Sequence, residues 1–322
     1  MNGTQRVRNV LLGKPVDRQP IHGWVKDGMS KPIIETFGSV EAFEDKYEFD
    51  MAHIFGGPVI YNRELLNKIK EEHGELTPDL LMDVDFFVDA DNLEDYRPVK
   101  EGIEYHKKKG RFCYVQTPGF VEAFNHVFGI ENHLMYLVLY PEEIIALYKR
   151  QCEWNLKFVE HVIDLGADCV HISDDWGAQN NLMFSPAMWR EYVYPNMKRM
   201  VDYIHSRGVF ASLHSDGCII PVTEGIKELG FDMVHPWQES AGMSYDYYLE
   251  NHADDFTILG GVCVQTVLGM LPREELEAEI RRVFQKLKGK RWICCTTHFV
   301  QSHCSIEDLI YAFDLIYQLA RE

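Results

Sequence analysis

Several absences narrow the reading of this chain before any motif is considered. No stretch of its 322 residues approaches the ~18 to 20 consecutive apolar residues that a membrane-spanning helix needs. The opening MNGTQRVRNVLLGKPVDRQP carries charge throughout and has no apolar core followed by small residues. It does not read as a signal peptide, and a cytoplasmic protein is expected. The eight cysteines are scattered, mostly within apolar runs, and none forms a CxxC pair. They read as thiols, and a structural zinc knuckle is not expected. Basic residues are scarce: 32 against 50 acidic ones, for a formal charge of −18. Such a chain repels nucleic acid and anionic membrane unless its basic residues gather in one patch. The one basic run, KKK at 107–109, reads as a solvated turn. Also missing are a G-x-S-x-G elbow, a Walker loop, an HExxH helix and a G-x-G-x-x-G turn after the first strand.

What is present is an alternation of short apolar runs, polar loops and amphipathic segments. The first element reads as a helix capped by Thr4, with Val7, Val10 and Leu11 on one stripe and Gly13 and Pro15 ending it. Strands are expected at 20–25, 50–55, 112–116, 169–173, 209–214, 233–236, 256–259 and 292–296. Helices are expected between most of them, at 141–165, 186–206, 221–229, 272–287 and 305–320. Several open on a proline, whose missing N–H costs nothing in a first turn. Eight strands alternating with helices predict a parallel sheet closed into a (β/α)8 TIM barrel, one domain over 1–322. The acidic span from about 60 to 110 is too long for one helix and reads as an excursion between the second and third strands.

In such a barrel the loops after the strands carry function, and here those loops are polar. HSDG (214–217) follows an apolar run, so His214 and Asp216, two apart, share one side of an extended strand end. They suit a metal or an acid–base pair; the blander reading makes Asp216 a helix cap. HISDDWGAQ (171–179) sets Asp174 beside Asp175, and adjacent carboxylates favour a raised pKa in one of them. A capping and a solvated aspartate fit the spacing equally. In GGVCVQ (260–265) the glycines admit a close approach and place Cys263 at a strand end, as thiol ligand, nucleophile or plain filler. In CCTTHFVQ (294–301), His298 is the third histidine at such an end.

These segments resemble the uroporphyrinogen decarboxylase superfamily along nearly the whole chain. The resemblance is carried by RVRNVLLGKPVDRQP, DDWGAQNNLMFSPAMWREYVYPNMKRMVDYIHSRG, HSDGCI, ELGFDMVHPWQ, LGGVCVQ and THFVQ, in the right order. It implies a TIM barrel, often a homodimer. The true decarboxylase grips a many-carboxylate tetrapyrrole with an Arg-rich stretch of the type RQAGRY soon after strand one. Here that region is IHGWVKDGMS (21–30), without arginine. The other branch, the cobalamin-dependent methyltransferases, holds zinc through an H-x-C motif and a later Cys. The matching positions are His214, Asp216 and His298, so harder donors replace both thiolates, with Cys263 a candidate fourth ligand. The resemblance thus implies a corrinoid-linked, zinc-dependent methyltransferase of the O-demethylase kind. It would move a methyl group from a small methylated donor, such as a methoxylated one, to a cobalamin on a partner protein. Asp174 or Asp175 would orient substrate or manage a proton, and Trp24, Gln116, Gln179, Gln238 and Gln265 would line the pocket. The alternative is a cofactor-independent carboxy-lyase acting on a tetrapyrrole or a smaller substrate, with Asp174 as its acid. A metal-free binding protein is a third reading.

Overall fold

The computed structural model describes residues 1–322. Seven strands form: β1 (Met51–Ile54), β2 (Phe112–Pro118), β3 (Cys169–Ser173), β4 (Phe210–His214), β5 (Met233–His235), β6 (Thr257–Val262) and β7 (Trp292–Thr296). They lie in one sheet in chain order, and the registers of β2 with β3, β3 with β4, β5 with β6 and β6 with β7 are all parallel. Strands such as CVHIS and WICCT are buried at every position, as expected when both faces of a parallel sheet are covered. Helices fill the connections, and the fold is of the (β/α)8 TIM-barrel type. No helix is long and apolar enough to cross a membrane.

The expected strand at 20–25 is reduced to one parallel bridge, Ile21 to Cys294. On the β7 side the ladder persists, with the Cys294 N–H donating to Pro20 O and the His22 N–H to Cys294 O. On the other side Asp50 N donates to Ile21 O, but the Ile21 N–H is taken by the Asp50 carboxylate at 2.8 Å. A side chain thus replaces one rung, and Pro20 has no N–H to offer another. The segment still occupies the eighth place, between residue 50 and β7.

Two helical expectations also change. The opening helix, Gly3–Leu11, is capped by Asn2 in a reciprocal box with Gln5, not by Thr4; the Thr4 N–H and hydroxyl both donate to Gly110 O. The helix expected at 186–206 forms over those bounds but carries a π-helical turn, Trp189–Val193, between Pro186–Met188 and Tyr194–Ser206. Pro195 accounts for the π turn, because it lacks the N–H that would continue the α ladder. The span from about 60 to 110 contains the helices Arg63–His73 and Arg97–Lys108, with 3-10 turns at Pro78–Leu81 and Leu93–Tyr96.

By internal contacts the chain forms two compact units. The first is Met1–His53, Tyr105–Cys113 and Asp232–Glu322; the second is Ile54–Glu104 and Tyr114–Phe231. In the first, Phe43, Phe49 and Phe313 pack edge-on or tilted at 5.3 to 6.0 Å. In the second, Phe124 packs against Tyr61 at 5.5 Å and Tyr148 at 5.6 Å.

Candidate functional site

In the second unit the ends of β3 and β4 meet in register, Ser173 opposite His214, and the Asp174 N–H extends the ladder to His214 O. The chain then turns at Asp174–Asp175–Trp176–Gly177 after β3 and at Ser215–Asp216–Gly217 after β4. These turns are locked together. Trp176 N donates to Ser215 Oγ at 2.9 Å, Asp216 N to Asp175 Oδ1 at 2.8 Å, and Cys218 N to Ala178 O. A Cβ on Gly177 would lie 2.4 Å from Asp216 O, which is why no larger residue fits there. Gly217 holds a φ of +78°, in the left-handed region that favours glycine.

The two adjacent aspartates separate in role. Asp174 is fully buried, and its oxygens accept from the Glu122 N–H at 2.9 Å and the Trp176 indole at 2.8 Å. Burial pushes its carboxyl up to about 7, against the pull of those hydrogen bonds. Asp175 is half-buried and faces His214 instead: His214 Nε2 lies 3.8 Å from Asp175 Oδ1 and 3.8 Å from Asp216 Oδ1. Asp216 is also raised to about 7, first by burial and then by the charges of Asp175 and Glu122. It caps no helix, since the next turn starts only at Ile220. The structure therefore brings His214, Asp175 and Asp216 together, a set of one nitrogen and two carboxylate donors.

Glu122 and His171 stand beside these residues and carry no signal in the spacing. Glu122 begins a helix (Val121–Phe128) after β2 and accepts from Ser173 Oγ at 2.7 Å. Burial, then Asp175, raises its carboxyl. His171 is buried in mid-strand, its Nδ1 paired with Ser212 Oγ at 2.8 Å and its ring 5.9 Å from that of His214. Next to them a cavity of about 380 Å³ is lined by Gln116, Glu122 and Ser173 together with Phe55, Trp154 and Phe158. Gln179, by contrast, is exposed on its loop and does not line this cavity.

In the first unit Trp24 organises a second set of predicted residues. Its buried ring lies 4.5 Å from His53, 4.3 Å from His235, 5.6 Å from His298 and 4.8 Å from Phe299. The backbone holds it there, with Trp24 N donating to Thr296 Oγ1 and Val300 N to Trp24 O. Gln238 donates through Nε2 to Gln265 Oε1 at 2.7 Å and to Ser240 Oγ at 2.9 Å. Cys263 Sγ is 3.3 Å from that hydroxyl, so Gln238, Gln265 and Cys263 form one polar set.

Known proteins place this geometry in a family. The model of the family Uroporphyrinogen decarboxylase (URO-D) matches residues 119–319, which include β3 to β7 and every loop described for the second unit's site. The uroporphyrinogen decarboxylase of Geobacter sp. (strain M21) is 27% identical over 190 residues, covering 56% of this chain and 51% of that protein. That of Thermus thermophilus is 24% identical over 198 residues, covering 57% and 51%. The chain spans about half the length of the curated relatives it matches. Among solved structures, a methyltransferase from Methanosarcina mazei shares the fold at a TM-score of 0.66, over 98% of this chain and 99% of that one. Its 14% identity speaks to fold alone. With the family model matched over more than half its length, the chain belongs to the uroporphyrinogen decarboxylase family.

Proposed function

We propose that this protein is a corrinoid-linked methyltransferase, taking a methyl group from a small methylated donor such as a methoxylated compound. The observation that carries the reading is His214 Nε2, flanked at 3.8 Å by the carboxylates of Asp175 and Asp216. Tetrahedral zinc with ligands at ~2.0 to 2.2 Å keeps its donors about 3.4 Å apart, so these side chains fit such an ion with small adjustments. His214 and Asp216 would hold it, and His298 is the third position given by the family resemblance, with Cys263 as a candidate fourth. When bound, the metal supplies Lewis acidity toward the donor's oxygen. Asp175 orients the His214 side of the site, while Asp174 fixes the β3 turn and Glu122 stands at the cavity floor ready to hold a proton. The absence of arginine from 21–30 weighs against a polyanionic macrocycle, and the methyl acceptor in this reading is a cobalamin carried by a partner protein.

Metal content, measured by elemental mass spectrometry, tests this. About one zinc per chain is expected, lost in His214→Ala and reduced in His298→Ala. Protein prepared without chelator that carries no metal would overturn the zinc reading. A methyl-transfer assay with a corrinoid partner then tests the reaction itself. One observation favours a second reading, a carboxy-lyase: Asp174 is held at about 7 and is therefore partly protonated near neutrality. Metal-independent loss of CO2 from a carboxylated substrate would decide for it.

A further inference from the structure

The cavity beside Ser173 and Glu122 has a composition that specifies its ligand more closely than the reaction does. Its inner wall is aromatic, and the polar handles of that wall are already engaged. The Trp154 indole N–H donates to Val88 O at 2.6 Å, and the Tyr61 hydroxyl donates to Gln151 Oε1 at 2.6 Å. Both residues therefore present only ring carbon to the cavity. Phe158 stacks on Trp154 with centroids 5.6 Å apart and planes 22° apart, and it also lines the cavity. The polar groups sit at two ends. Ser173 is buried and bonded to the half-buried Glu122, so they form the floor. Arg63 and His126 also line the cavity but are exposed, so they form its mouth.

Arg63 is the one arginine among the residues that line the cavity. Acidic residues outnumber basic ones 50 to 32 in this chain, and arginines 6, 18, 111, 190, 199, 207, 273, 281, 282 and 321 each pair with a carboxylate. Arg63 makes no such ion pair. An unpaired guanidinium at the mouth of an apolar slot offers a fork to a planar anion. At about 380 Å³ the cavity is at the small end of the ~300 to 1,000 Å³ usual for ligand pockets, which suits one ring and not four.

We infer that this cavity seats a single-ring aromatic carboxylate, its ring against Trp154 and Phe158, its carboxylate at Arg63, and its far edge toward Ser173 and Glu122. The inference deepens the proposed function, on which it rests only for the identity of this ligand as the methyl donor's body. A trimethylammonium ligand, the other guest that aromatic walls suit, is disfavoured by the two basic side chains at the mouth.

The test is direct binding, by calorimetry and Trp fluorescence, of benzoate, benzyl alcohol and trimethylglycine to the full chain with no corrinoid present. Benzoate is expected to bind saturably and trimethylglycine not at all. Arg63→Gln, an exposed change, is expected to weaken benzoate about tenfold, the value of one hydrogen bond to a charged group, and to leave benzyl alcohol unchanged. Ala123→Leu, which fills the cavity wall, is expected to remove both, with an unchanged circular dichroism spectrum. No binding of benzoate at millimolar concentration, or equal binding by wild type and Arg63→Gln, overturns the inference. Because neither methyl group nor corrinoid enters this measurement, its failure leaves the methyltransferase reading untouched, and a failed methyl-transfer assay leaves this result standing.

Discussion

Asp174 accepts one hydrogen bond on each oxygen, from a backbone N–H and from an indole, so replacing it with asparagine removes one acceptor while keeping the shape. A buried donor left without a partner costs about 1–3 kcal/mol. Asp174→Asn is therefore expected to destabilise the fold by about that amount in urea unfolding, with an unchanged m-value. A cost near zero would mean that Trp176 or Glu122 finds water instead. Asp175 accepts a single backbone N–H, from Asp216, which the asparagine oxygen can still accept, so Asp175→Asn is expected to leave stability within about 0.5 kcal/mol. The pair looks symmetrical in DDWG, and nothing in that string says which side chain turns inward. The answer lies in Gly119, where an added Cβ would sit 2.3 Å from the Asp174 side chain, and in Trp176, two residues on, whose ring is wholly buried.

At the scale of elements, the legible parts were those with a single strong period. Cys169–Ser173 and Trp292–Thr296 emerge as read, because uninterrupted apolar runs between polar loops leave little alternative. The strand at 20–25 failed for a reason beyond local pattern, since its lost rung goes to a carboxylate 29 residues away. Glu122 was missed because it opens an ordinary amphipathic helix and acquires meaning only through Ser173, 51 residues on. The histidine and aspartates of HSDG and HISDD were legible, since turns after apolar runs are where a barrel keeps its chemistry. The contact between those two turns makes a further prediction. Gly177→Ala would drive a methyl group into the backbone of Asp216 and Gly217, and overpacking of this kind costs about 1–3 kcal/mol. Metal content is expected to fall with stability; a variant as stable as wild type and fully loaded would show that the turns move independently.

For the whole molecule, two sets of buried groups oppose each other as pH changes. Burial holds His22 and His133 down at about 3 and His106 at about 4, against ~6.5 in an unfolded chain. Their stabilising contribution is complete above pH ~6.5 and is lost as pH falls through the folded values. Asp174 and Asp216, raised to about 7, act in the opposite sense. Their contribution is complete below the unfolded value of ~3.9 and is lost as pH rises toward 7. Between pH ~6 and ~4.5 the unfolded chain thus gains protons on three histidines while the folded chain holds them on two carboxyls. Glu44 and Glu122, also raised by burial, act in the same sense as these carboxyls, so the acid loss from the histidines is partly offset. Urea unfolding of metal-free protein is expected to show a shallow acid loss over this range, steeper in Asp174→Asn/Asp216→Asn. Equal slopes in the two proteins would remove the carboxyls from the account.

The back-to-back glycines at 177 and 217 also bear on how such a protein can diversify. An insertion in either turn would displace the other, so the loops after β3 and β4 can change length only in concert. The cavity segment at 119–126 is tied to the same turns, with Glu122 N donating to Asp174 Oδ1 and Gly119 N to Ser173 O. New ligand preferences are therefore expected to arise by exchange around 55–63, with the histidine–aspartate turns and 119–126 inherited as a unit.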